Sequence, residues 1–169
     1  MEQNIDNKTE IKDKLISLYK SHKFKFYLTI IIIVMAAIVL SFLKISNEKQ
    51  NHLISEKYIQ AGQLLSLDKK EKSKSIYEEI IISKNKFYSI LALNNILENN
   101  LETDQNKILR YFKIVGELNI PQTQIDLIVL KKALYLIKNL RNEEGNKLLK
   151  NLIITNSKLK PLAEEIINK

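Results

Sequence analysis

The chain has 169 residues and a net charge of +8, with no Cys, no Trp, three Gly and two Pro. The absence of Cys excludes disulfides, thiolate catalysis and zinc–thiolate sites. The scarcity of Gly and Pro argues against a sheet protein with many tight turns and favours long helices joined by short polar turns. Lys is scattered among acidic residues, without a dense Arg cluster and interleaved aromatics, so we expect no nucleic-acid partner.

Residues 1–25 form a basic segment that we expect to lie in the cytoplasm. Ile11, Leu15, Leu18 and Tyr19 fall on one face if this segment is helical. Two interpretations stay open at this point. The segment is either an amphipathic helix lying on anionic lipid headgroups, or a charge cluster that orients the segment after it.

Residues 26–43 form the most apolar segment of the chain. They are 18 residues without a charge, and twelve of them are Ile, Leu, Val or Phe. As a helix the segment is about 27 Å long, close to the roughly 30 Å hydrocarbon core of a bilayer. Lys23, Lys25 and Lys44 flank it, and their side chains can extend to the headgroups. The sequence therefore predicts a single transmembrane helix at residues 26–43.

Two other interpretations of this segment are weaker. A buried core helix would rarely carry four consecutive Ile, as residues 30–33 do, without a polar face. A cleaved signal peptide has a shorter apolar core followed by a small-x-small site, and none follows residue 43. Lys is denser before the segment than after it, which predicts a cytoplasmic N-terminus and a translocated domain over residues 44–169.

The translocated domain is expected to be helical throughout. Apolar residues recur at helical spacing, and no segment alternates cleanly with a period of two. The predicted helices span about 47–67, 69–83, 86–99, 104–118, 121–140 and 143–155, with a short last helix from Pro161. Their start signals are capping residues, first-turn acids or prolines: Asp68 with Glu71, Asn85, Asp104, Pro121, Asn142 and Pro161.

Helix pairs of about 34 residues are typical of tetratricopeptide-like repeats, in which small residues let two helices approach closely. Two sets of residues meet the expected spacing, 72 residues or two repeats of 36 apart: Ala61, Leu64, Ser73, Tyr77 and Ile80, then Ala133, Leu136, Gly145, Leu149 and Leu152. A middle pair is indicated by Ala92, Tyr111 and Ile114, although Lys107 occupies its second small position. The predicted fold is all-α: an N-terminal single transmembrane helix followed by a tetratricopeptide-like array of about three helix pairs. An irregular bundle is the alternative.

The sequence offers no constellation for catalysis. His22 and His52 flank the predicted membrane helix and should lie on opposite faces of the bilayer. The adjacent carboxylate pairs do not converge, because neighbouring helical residues point about 100° apart. We therefore expect no enzymatic activity, no metal site and no cofactor.

The layout resembles a known family. A basic segment and one anchor precede three motifs: Ser55-Glu56-Lys57-Tyr58, Ala61-Gly62-Gln63-Leu64-Leu65 and Tyr77-Glu78-Glu79-Ile80-Ile81. This arrangement resembles a bacterial inner-membrane family with a tetratricopeptide-like periplasmic domain, whose members are ancillary subunits of the Sec translocon. The resemblance implies a single-pass inner-membrane protein, a link to secretion and periplasmic chaperones, and no enzymatic activity.

The leading hypothesis is a membrane-anchored helical-repeat scaffold that binds other proteins. The suspected partners are translocon subunits, chaperones or secreted clients, together with membrane lipid around the anchor. The alternative is a structural role, in which an anchored bundle assembles another envelope complex through its membrane helix.

Overall fold

The computed structural model describes the backbone of residues 3–168, and their side chains except at residues 3–23, 26, 43, 46 and 47. Every regular element in this described part is an α-helix, which confirms the predicted all-α class. The helices are α1 (Gln3–Ser66), α2 (Lys70–Ile82), α3 (Tyr88–Glu98), α4 (Gln105–Gly116), α5 (Gln122–Lys138), α6 (Asn142–Ile154) and α7 (Lys160–Ile167). Backbone contacts divide the chain into two compact units, Met1–Gln50 and Asn51–Lys169.

The first helix is much longer than the sequence suggested. The sequence predicted a separate helix beginning near residue 47, whereas α1 is one helix of 64 residues. The helix can continue without a break because no Gly and no Pro occurs in the chain before Gly62. The amphipathic face predicted around Ile11 and Leu15, and the flanking Lys23, lie outside the residues whose side chains are described.

Between residues 27 and 45 of α1, the large apolar side chains that the structure describes are at least half exposed. Over the part of the chain that the structure describes, no helix combines the length and the apolar character needed to cross a membrane. The membrane span at residues 26–43 therefore stays a prediction.

Most of the predicted helix starts are confirmed. Asp104 accepts hydrogen bonds from the backbone N–H groups of Asn106 and Lys107, at 2.8 and 3.4 Å, and caps α4. Asn85 accepts from the N–H of Tyr88 at 2.9 Å. The predicted start signals Pro121, Asn142 and Pro161 stand at the starts of α5, α6 and α7.

The capping box predicted from Asp68 and Glu71 is wrong. No side chain caps α2, and Asp68 has a backbone φ of 56°. This residue belongs to the end of the preceding helix: its N–H donates to Leu65 O, and the next N–H, that of Lys69, donates to Leu64 O. These two bonds are the Schellman pattern, which ends a helix through one residue in the left-handed region.

The same ending recurs along the chain without a glycine at the left-handed position. The residues with positive φ are Asp68, Lys84, Asn100, Leu140 and Asn156, and each lies two positions after the last residue of a helix. The chain therefore reverses direction with short turns, although it has only three Gly.

The helices of the second unit enclose two hydrophobic clusters. The larger one involves α1 to α5 and contains the buried Tyr77, Ile96 and Phe112. The smaller one involves α5 to α7 and contains the buried Leu130, Leu149 and Leu152. The core of this unit is therefore divided into two clusters, and residues of α5 belong to both.

Small residues set the closest helix contacts in this unit. The Ser73 hydroxyl, which is fully buried, donates to the carbonyl of Ala61 at 2.8 Å and joins α2 to α1. Twelve residues also separate Ala133 from Gly145, and a Cβ placed on Gly145 would lie 2.9 Å from the Ala133 carbonyl oxygen. In two helix pairs a small residue therefore lies against the backbone of the residue twelve positions before it.

Apart from the bond of Lys57 to Glu79 inside the first helix pair, which spans 22 residues, the side-chain-to-side-chain hydrogen bonds that join separate elements have similar sequence separations. Their partners lie 31 to 37 residues apart, close to the length of one helix pair. The pairs are Asn51 with Asn85, Ser55 with Tyr88, Tyr58 with Asn95, Glu78 with Tyr111, Asn94 with Lys131, Gln105 with Asn139, and Asp126 with Ser157. Each bond thus joins one helix pair to the next along the chain.

Candidate functional site

One concave feature of the second unit is a cleft of about 460 Å³. Its walls are α3 and α5, and the segment that connects α3 to α4 closes one end. A volume of this size falls within the range of pockets that hold small ligands or short pieces of polypeptide.

One polar bridge joins the two walls. The Lys131 ammonium on α5 donates to Asn94 Oδ1 on α3 at 2.7 Å. At the end of α5 the Asn139 amide donates to the carbonyl of Tyr135 at 2.7 Å and accepts from Gln105 Nε2 at 3.3 Å. These bonds fix the orientation of two amide side chains and one cation that line the cleft.

The buried carboxylate of Glu102 lines the cleft. The Glu102 side chain is 6% exposed and lies 3.2 Å from the Lys107 ammonium and 3.7 Å from that of Lys74. Its other oxygen accepts from the N–H groups of Thr103 and Asp104, both at 2.9 Å. The backbone N–H of Asp104 is the main cause that holds the pKa of Glu102 below its usual value, with support from Lys107. Glu102 is therefore an ionised structural brace and not an acid available for proton transfer.

Apolar side chains give the cleft a hydrophobic wall. Leu97 and Ile108 line it from α3 and α4, and Leu134 lines it from α5 with 43% of its surface exposed. The Tyr135 ring packs beside Phe112, with ring centroids 5.9 Å apart, and burial raises the pKa of its hydroxyl. The Tyr135 side chain therefore stays neutral at physiological pH and offers the cleft an amphipathic surface.

The cleft presents hydrogen-bonding groups, positive charge and an apolar side chain. Asn side chains both donate and accept hydrogen bonds, as the backbone of a bound polypeptide requires. Lys131 and Lys138 add positive charge, and Leu134 adds an apolar contact. Across the described residues, no three His, Asp or Glu side chains gather in a way that could hold a metal ion.

The residues proposed for repeat packing lie in the helix contacts and not in the cleft. Two of them, Leu64 and Ile114, are half-buried. The others are buried: Ala61, Ser73, Tyr77, Ile80, Ala92, Tyr111, Ala133, Leu136, Gly145, Leu149 and Leu152. The flanking residues Lys25 and Lys44 are exposed.

Sequence reasoning missed most residues of the cleft. Asn94 and Lys131 lie 37 residues apart, and nothing in the sequence marks them as partners. Glu102 lies between the predicted helices 86–99 and 104–118, where no site residue was predicted, although an acid followed by the capping residue Asp104 was a usable signal. Ser89 was also missed: its buried hydroxyl donates to Ile80 O at 2.8 Å and joins α3 to α2.

Comparison of the chain with known proteins finds no relative. No family model matches it, and no match is found among curated proteins or among solved structures. The resemblance to the inner-membrane Sec-associated family therefore stays a prediction from the motifs of the chain.

Proposed function

We propose that this protein is a membrane-anchored scaffold with a tetratricopeptide-like array of three helix pairs, whose cleft binds extended segments of other proteins. The cleft carries this proposal, since it combines fixed amides, two cations and an exposed leucine without catalytic groups. Such a surface suits the backbone and the side chains of a polypeptide.

Two observations support a repeat array over an irregular bundle. The hydrogen bonds between distant helices cluster at separations of 31 to 37 residues. The contacts of Ser73 with Ala61 and of Gly145 with Ala133 also repeat at one register. An irregular bundle would not favour one separation, whereas a stack of similar units does.

The anchor part of the proposal rests on the sequence of residues 26–43, including Phe26 and Leu43, whose side chains lie outside the described part. The exposure of apolar side chains such as Ile33, Met35 and Leu40 supports it. A helical segment that is apolar on all sides needs either a protein or a lipid environment to cover it. Together with the motif resemblance, this favours an inner-membrane accessory of the Sec translocon and its periplasmic chaperones, without enzymatic activity.

Site-directed photocrosslinking in cells tests the cleft. A photoreactive phenylalanine analogue at Leu134 should capture translocon subunits, periplasmic chaperones or secreted proteins. The matched control is Leu162 on α7, which is equally exposed at 43% but does not line the cleft. Equal capture from both positions, or none from Leu134, would sink the assignment of the cleft.

The alternative function is structural, and the exposed apolar side chains of α1 favour it. In that case the anchor assembles an envelope complex and the cleft holds no client. A crosslinker at Met35 would then capture membrane subunits while one at Leu134 captures nothing. Capture from Leu134 that disappears in a Lys131→Glu variant would decide for the cleft instead.

A further inference from the structure

The turn between α2 and α3 is fastened to the first residue of the second unit. Asn85 donates from Nδ2 to Asn51 Oδ1 at 2.7 Å. The Asn85 Oδ1 atom accepts from the N–H groups of Phe87 and Tyr88, at 3.0 and 2.9 Å. One side chain thus fixes both the conformation of the turn and its position beside residue 51.

An exposed aromatic ring lies on this fastened turn. The Tyr88 hydroxyl donates to Ser55 Oγ at 2.8 Å, which locks the Tyr88 ring against α1. The Phe87 ring packs on Tyr88 at a centroid distance of 5.1 Å and an angle of 84°. Even so, 62% of the Phe87 side chain is exposed. The exposed Phe87 ring is held in place by the Tyr88 ring. Such a ring suits contact with another surface, because little conformational entropy is lost when the contact forms.

The neighbours of Phe87 define a surface of mixed character. Ile82, at the end of α2, is 58% exposed, and Lys84 and Lys86 are exposed on either side of Asn85. No acidic residue occurs between residues 82 and 88. We call Ile82, Lys84, Lys86 and Phe87 the corner patch. An aromatic ring, an aliphatic side chain and cations with long apolar stems are the groups that settle at a bilayer interface.

The chain also limits how far this patch can lie from the predicted anchor. Asn51 follows Leu43 by eight residues. Even fully extended, eight residues span at most about 29 Å, and a helix spans about 12 Å. The hydrogen bond from Asn85 to Asn51 therefore ties this turn to a residue that follows the predicted anchor by eight positions.

We propose that the corner patch binds the lipid headgroup region of the bilayer that holds the anchor. Lys84 and Lys86 contact anionic headgroups, while Phe87 and Ile82 enter the boundary with the acyl chains. The absence of acids from residues 82–88 and the short connection to the predicted anchor favour lipid over a protein partner. This inference rests on the anchor in the proposed function, and the test below separates the two.

Fluorescence of single-tryptophan variants tests it, because the chain has no Trp. Full-length Phe87→Trp protein is reconstituted in vesicles of phosphatidylcholine and phosphatidylglycerol, with or without bromine on the acyl chains near the headgroup. We expect blue-shifted emission that shallow bromines quench strongly. The control is Leu140→Trp, at an 88% exposed position beyond the end of α5. Its emission should stay that of a ring in water, without quenching.

The location of Leu140 makes this control informative. The α3 helix starts at the fastened turn, so its last residue lies about 15 Å away along the helix axis. Asn139, beside Leu140, bonds to Gln105 at the start of α4, just after the segment that leaves the far end of α3. Leu140 therefore reports on the far end of the same unit. Equal quenching at both positions, or none at either, would overturn the inference.

Two further variants complete the test. Met35→Trp reports on the anchor, and bromines near the bilayer centre should quench it. Quenching of Met35→Trp without quenching of Phe87→Trp overturns the corner patch and leaves the anchor standing, whereas loss of both removes the anchor as well. Adding Lys84→Gln and Lys86→Gln to Phe87→Trp should reduce its quenching, and unchanged quenching would contradict the role of the cations. Circular dichroism equal to that of the wild type checks that each variant is folded.

Discussion

The outer helix pairs and the middle pair of the second unit are closed in different ways. In the first and last pairs, a small residue lies against the facing helix: the Ser73 hydroxyl donates to the Ala61 carbonyl, and Gly145 leaves no room for a Cβ beside the Ala133 carbonyl. In the middle pair, α3 and α4 are joined by a longer segment, and its buried carboxylate, Glu102, binds Lys107 on α4 and Lys74 on α2 of the first pair. The close packing of the outer pairs requires small side chains between the helices. The ion pairs of the middle segment require the carboxylate of Glu102.

This difference gives opposite sensitivities to substitution. Where two backbones touch, an added methyl group has no space and the helices must separate. Where a carboxylate accepts several hydrogen bonds, removal of the side chain leaves buried donors unpaired. Substitutions that enlarge a side chain should therefore destabilise the outer pairs, and substitutions that shorten the Glu102 side chain should destabilise the middle pair.

The largest expected effect is at Gly145. In a Gly145→Val variant the new Cβ meets Ile137 Cγ1 at 2.5 Å and the Ala133 carbonyl oxygen at 2.9 Å unless the helices shift. We expect the free energy of unfolding to fall by about 3 kcal/mol, measured by urea denaturation in detergent.

Gly116→Ala is the matched control for Gly145. A Cβ at Gly116, the last residue of α4, meets nothing within 4 Å. That variant should be neutral or more stable by up to about 1 kcal/mol, because Ala restricts the unfolded chain. An equal loss of stability in both glycine variants would show that space between α5 and α6 is not the cause.

Truncation of Glu102 should damage the middle pair. Glu102→Ala removes the acceptor for the N–H groups of Thr103 and Asp104 and leaves Lys74 and Lys107 without this partner. We expect a loss of about 2 kcal/mol in the free energy of unfolding. The exposed Glu98, four residues earlier, is the control, and Glu98→Ala should change stability by no more than about 0.5 kcal/mol. Similar values for the two variants would contradict the brace.

The protonation of Glu102 gives a second test of the same brace. Its pKa is lowered in the folded protein, so its contribution is complete above the ordinary carboxyl pKa of 4.5 and is lost as the pH falls through the lower folded value. Between about pH 5 and 3, the wild type should lose more stability than Glu102→Gln, which has no proton to bind there. Parallel pH profiles of the melting temperature would show that this carboxylate is not favoured in its ionised form.

The smallest expected effect on stability concerns the turns that follow α3 and α5. Asn100 and Leu140 both have positive φ, of 47° and 62°, after α3 and α5. Asn tolerates the left-handed region, whereas Leu does not, and Leu140 is 88% exposed and so gains little from burial. Leu140→Asn should raise the free energy of unfolding by about 0.5 kcal/mol. Asn100→Leu should lower it by a similar amount, and a change of the same sign in both variants would contradict the comparison.

The sequence predicted the parts of the fold that depend on local chemistry. The starts of helices at Asp104, Pro121 and Asn142 are confirmed, because a cap or a proline acts on its own first turn. The box from Asp68 and Glu71 failed because Asp68 has a second local role, as the left-handed residue that ends α1. The sequence contains both signals, and only the structure decides between them.

The cleft could not be predicted in the same way. Its polar bridge joins Asn94 to Lys131 across 37 residues, and its ionic brace joins Glu102 to Lys74 across 28. These partners meet only because the helix pairs stack in one order, which no local pattern states. The similar spacing in the two sets of residues that begin at Ala61 and Ala133 carried information on helix packing. The lining of a cleft depends instead on residues that do not take part in that packing.

The regular separation of the hydrogen bonds between helix pairs has a mechanical consequence. Each bond ties a helix pair only to its successor, so no bond of this set crosses the whole unit. A pulling force on the C-terminus would first release α7 at the bond between Asp126 and Ser157, and then open the remaining pairs in sequence. The unit should thus extend in steps of roughly one helix pair, and on relaxation it should shorten again from the end that stayed folded.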